Sequence, residues 1–80
     1  MGYKDTSKIF INKRKEILDE FIRANKRWKI IDPSEMDEDV FGTKDSEMIK
    51  KKLQYVARKY NLPIQFSVFC EMIFMARTDM

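Results

Sequence analysis

The chain has 80 residues, 44% of them hydrophobic and 36% charged, with a formal charge of +3, two glycines, two prolines, one cysteine and no histidine. Those figures describe one small globular domain with a thin stability margin, and they exclude a disordered chain, a turn-rich β-sandwich and an intrachain disulfide. Losing histidine removes the commonest general base and metal ligand, so no enzyme, cofactor or metal centre is expected.

We expect a single domain over residues 1–80, with 1–6 as a flexible N-terminus and 30–44 as an acidic connector. The opening MGYKDTSKIF holds no long apolar core and does not read as a signal peptide. Residues 64–76 are too few to cross a bilayer as a helix. A lone thiol, Cys70, in apolar surroundings suits a reducing compartment, so the expected location is cytoplasmic, with no membrane partner.

The net charge hides a pattern. Residues 1–31 carry nine basic and four acidic side chains, 32–47 one basic and seven acidic, and 48–80 six basic and two acidic. The chain is basic, then acidic, then basic.

Ser7 or Thr6 can cap a first helix running to about Lys29. At 100° per residue, Phe10, Ile11, Ile17, Leu18, Phe21, Ile22 and Trp28 share one face. Arg14 and Asn25 fall on that face too. Arg14 is then a candidate partner for an acid at 35–39, and Asn25 a candidate register device.

"DPSE" at 32–35 starts a second, short helical turn. Asp32 caps, Pro33 suits the first helical position, and Glu35 completes a capping box. Phe41 tucks inward and Gly42 ends the turn. A further helix runs from caps at 43–46 to Tyr60, with Ile49, Leu53, Val56, Ala57 and Tyr60 as its stripe. Asn61 closes it in the left-handed conformation, Leu62 packs back, and Pro63 prevents continuation.

Residues 64–77 fit two patterns. Alternate positions from 64 to 76 are apolar, which suits a strand, yet Phe69, Ile73 and Met75 fill the other parity. A strand there has no visible partner. We therefore expect a central helix over 63–77, with a strand at 64–76 as the alternative. The expected fold is all-α: a three-helix domain with a short extra turn between helices 1 and 2.

The segment DEDVFGTKDSEM (37–48) places Asp37, Asp39, Gly42 and Asp45 at calcium-loop positions. Phe41 and Met48 stand where ligands are needed, so it reads as a connector. Cys70 has no neighbouring base and reads as structural.

Two binding readings remain. The surplus of Phe, Met and Trp suggests a small non-catalytic module with a regulatory or adaptor role through protein–protein contact, including self-association as a homodimer. Its candidate residues are Trp28, Phe69, Met72 and Met75, with Arg27 and Lys29 as rim charges. The alternative is a nucleic-acid-binding module with a degenerate helix-turn-helix at 49–77. Its basic faces would be Lys26, Arg27, Lys50, Lys51, Arg58 and Lys59, with Tyr55 for stacking.

Overall fold

Local chemistry ends the first helix early. In the computed structural model, which describes residues 8–80, α1 spans Lys8–Arg23. Asn25 then adopts a left-handed φ of 57°. Its N–H reaches back to the Ile22 carbonyl at 3.0 Å, closing the helix terminus. Trp28–Ile31 continue as a strand, β1, and not as a helix end.

A 3-10 turn follows over Pro33–Glu35, with the Asp32 carboxylate accepting from the Ser34 N–H. A one-turn helix, α2, spans Glu38–Phe41 and is capped by Asp37. It ends at Gly42, whose φ of 72° is the left-handed value glycine adopts without strain. The stretch expected as an acidic connector thus holds a strand end and two capped turns.

The long helix α3 spans Ser46–Lys59, burying Ile49, Leu53, Val56 and Ala57 as the periodicity requires. Asn61 is left-handed with φ 56°. The Asn61 N–H meets the Arg58 carbonyl at 3.2 Å and the Leu62 N–H meets the Ala57 carbonyl at 2.8 Å. That pair of bonds is the Schellman closure, so the stop signal at 61–63 acts as expected. Tyr60 falls past the last turn and is exposed.

The all-α expectation is overturned in the last third of the chain. Residues 64–77 form a hairpin, with β2 over Ile64–Phe69 and β3 over Met72–Arg77. The segment finds its partner within itself, and β3 also pairs with β1, giving an antiparallel sheet ordered β1-β3-β2. The described chain is 51% helix and 22% strand, an α+β fold and not a helical bundle. A helix-turn-helix over 49–77 is excluded, because its second half is this hairpin. The proposed caps Thr6 and Ser7 and the N-terminus at 1–6 lie outside the described residues.

Helices cover one face of the sheet, making two layers around one core. Leu18, Phe21, Phe41, Ile49, Leu53, Val56, Ile73 and Met75 form its fully buried centre. Arg14 is buried among them at 3% exposure. Its Nε and Nη2 donate to the Val40 carbonyl at 3.1 and 2.6 Å, and its guanidinium lies 5.5 Å from the Phe41 ring. The sequence suggested an acidic partner from 35–39; these bonds go instead to a backbone carbonyl of α2.

Candidate functional site

Strand alternation sorts the sheet residues onto two faces. Trp28 stands opposite Ala76 and Ile30 opposite Phe74. Across β3, Ser67 stands opposite Phe74 and Phe69 opposite Met72. All these side chains lie on the face turned away from the helices, and none belongs to the buried core. Trp28 is 59% exposed and Phe69 68%, while Ile73 and Met75 on the opposite face are at 0%.

The structure therefore brings Trp28, Phe69 and Met72 onto one surface. Met75, grouped with them from sequence, is core and cannot contact a partner. Ile30 and Phe74 join the surface and were missed. Their signal was the period-two spacing Trp28–Ile30 and Met72–Phe74–Ala76, which becomes readable once β3 is known to pair on both sides.

Arg27 and Lys29 flank the surface at the β1 edge. The Arg27 carbonyl accepts the Arg77 N–H at 2.8 Å, fixing the start of the ladder. Beside this edge an open recess of about 890 Å3 separates β1 from the end of α1. Among the described residues, Arg23, Lys26, Arg27 and Lys29 line it, with Glu20 as the one acid. Phe21 closes it on the α1 side, and Trp28 and Ile30 of β1 border it.

The other basic candidates sit on α3. Lys51, Tyr55, Arg58 and Lys59 are exposed along its outward side. Lys50 is half-buried and pairs with Glu47 at 3.3 Å. None of these lines the recess shared by Lys26 and Arg27. The predicted basic surface is thus divided between two places.

Before α3 stands only the single turn of α2, joined to it by residues 42–45. A nucleic acid met by α3 end-on would approach its start. That end carries Asp45 and Glu47, close in sequence to Asp37, Glu38 and Asp39 of the α2 cap and first turn.

The calcium-loop candidate is occupied by helix. Asp37 accepts from the Asp39 N–H at 2.9 Å, and α2 and α3 take up most of 37–48. Among the described residues, no three acidic or cysteine side chains gather to hold a metal ion. Cys70 is exposed at the hairpin turn.

Arg77 ties the end of β3 both to Asp79 and to α1. Arg77 donates to both oxygens of Asp79, each at 2.9 Å, and also reaches the Ile22 carbonyl at 3.4 Å. The hydrogen bonds from Arg77 hold the Asp79 carboxyl below its ordinary range, and in return raise Arg77 further.

Compared with family models, curated proteins and solved structures, the chain matches none. Among the described residues, no helix is long and apolar enough to cross a membrane.

Proposed function

We propose that this protein is a small non-catalytic binding module that acts as a regulator or adaptor through protein–protein contact. The contact surface is the outer face of the sheet, centred on Trp28, Ile30, Phe69, Met72 and Phe74. The observation that carries this reading is a run of large apolar side chains joined by cross-strand register on the outer face, with Trp28, Ile30 and Phe69 exposed and Met72 and Phe74 half-buried. Scattered exposed apolar residues are ordinary, but a contiguous set on a rigid sheet is typical of an interface core. Tryptophan and arginine are also the usual energetic anchors of such contacts, and Trp28 follows Arg27 directly. The free thiol at Cys70 fits a reducing, cytoplasmic setting.

The test compares partner capture by the wild type and by two variants. Trp28→Ala with Phe69→Ser should lose the captured partner while the far-UV spectrum stays unchanged. Lys51→Ala with Arg58→Ala, on α3, should keep it. Equal capture by all three proteins sinks the reading.

A second reading, nucleic-acid binding, is favoured by the cations and Tyr55 exposed on α3. The acids at the start of α3 oppose it, because they repel phosphate where a reading helix enters the groove. It demands duplex binding that weakens steeply with salt and is lost in the α3 variant.

A further inference from the structure

Among the described residues, the β1 edge is an open backbone template: β1 is the outer strand of the sheet, next to β3 only. Arg27 and Arg77 form a hydrogen-bonded pair of the ladder, seen in the bond from Arg77 N–H to the Arg27 carbonyl. In an antiparallel ladder such pairs alternate. Lys29 opposite Met75 and Ile31 opposite Ile73 therefore bond inward to β3. Trp28 and Ile30 turn their N–H and C=O groups outward, to the free edge.

Side-chain chemistry at this edge is sorted by the same alternation. Trp28 and Ile30 point to the outer apolar face, opposite Ala76 and Phe74. Lys29 points to the helix side, where the described lining of the recess sets Arg23, Lys26, Arg27 and Lys29 against one acid, Glu20. A strand added here would therefore have apolar side chains continuing the outer face. Its alternate side chains would enter a cationic recess.

We propose that the occupant is an extended segment of a protein partner, with acidic residues alternating with apolar ones, added as a fourth strand along β1. Strand addition supplies affinity through main-chain bonds, and specificity through alternate side-chain sites. The inference rests on the sheet-face reading and names its partner. A second copy of this chain fits the edge poorly, since the antiparallel registers that use the whole of β1 bring Lys29 beside its own equivalent or Arg27 beside the other copy's Lys29. A merely guarded edge does not fit either. Protective lysines explain Lys29, but not a 59% exposed Trp28 and a 40% exposed Ile30 on the same short strand.

The probe is a random library of eight-residue peptides selected against the full chain, with Trp28 emission reporting binding. The expected winners alternate Asp or Glu with Val, Ile or Phe. Arg27→Glu with Lys29→Glu should weaken them by about tenfold or more. Methylating the peptide amides that face β1 should abolish binding, because the ladder bonds are lost. Winners without acids, winners that tolerate methylation, or no winners at all would overturn the proposal. Phe69→Ser separates the two levels. If it abolishes partner capture while the charge reversal does nothing, the edge inference falls and the sheet-face reading stands. If neither substitution matters, both fall.

Discussion

Ile73 and Phe74 are neighbours in β3, yet Ile73 is fully buried and Phe74 faces away from the helices. The same contrast runs along the sheet. Ile31, Ile64, Ile73 and Met75 are sealed beneath α1 and α3, while Trp28, Ile30 and Phe69 of similar hydrophobicity meet solvent. Hydrophobicity alone therefore does not define the core here; the helices define it by covering one face. Among the described residues nothing packs over the outer face, and its apolar side chains are the reason we propose it for binding.

The sharpest way to break the comparison is to truncate one residue on each face. Ile73→Ala should cost about 2–5 kcal/mol, because it removes transfer energy and leaves a cavity that the layers cannot fill. Phe69→Ala should change stability by no more than about 0.5 kcal/mol. Urea denaturation of both variants reads the difference. Comparable losses would mean that the outer face is covered, and that it belongs to the core. Against a typical domain stability of about 5–15 kcal/mol, the first loss is a large fraction and the second negligible.

A smaller effect separates the core's polar anchor from its apolar mass. Arg14→Met keeps most of the side-chain volume but deprives the Val40 carbonyl of its donors. We expect a loss of about 1–3 kcal/mol by thermal or chemical unfolding. An unchanged midpoint would show that the guanidinium is dispensable and that the long side chain acts only by packing.

How far the sequence revealed this arrangement depends on which signals compete. α3 was legible because its apolar stripe is narrow and its stop signal, Asn61–Leu62–Pro63, is local. The end of α1 was hidden because Trp28 stays in phase with the helix face, so periodicity continues past the true boundary. The hairpin was hidden for a different reason. Its two-residue turn is Cys70–Glu71, with φ values of 53° and 63°, where glycine or asparagine is the usual marker. With no turn residue inside it, an apolar run from 64 to 76 looks like one element. Trp28, Phe69 and Met72 could be picked from the apolar surplus, but separating Met75 from them needs the parity of the sheet. Only the position of the helices supplies that.

The turn itself offers the next test. Two non-glycine residues in the left-handed region each carry a steric cost of about 1–2 kcal/mol. The Ser46 hydroxyl donates to the Glu71 carbonyl at 2.6 Å, which ties the turn to the start of α3. Cys70→Asn with Glu71→Gly keeps that carbonyl and relieves the strain. It should raise stability by about 1 kcal/mol, seen as a higher denaturation midpoint. A loss would show that the Cys70 or Glu71 side chain contributes to the fold. That would group the hairpin tip with the covered face and not the outer one.

The smallest effect concerns the far end of the sheet, where Arg77 and Asp79 meet beside the α1 terminus. Hydrogen bonds from Arg77 place the Asp79 carboxyl below its ordinary value of 3.8 in the folded chain. The folded value lies below the unfolded one, so the unfolded state takes up protons first as pH falls. The pair's contribution is whole above the ordinary carboxylate range and is lost as pH falls through the folded value. Asp79 is largely exposed, so solvent screening keeps the contribution small. Melting curves of the wild type and Asp79→Asn should therefore differ slightly near neutral pH and converge in strong acid. A difference that persists in acid would show that the effect does not come from the Asp79 charge. The bond from Arg77 to the Ile22 carbonyl, present in both proteins, would then be what holds this end of the sheet.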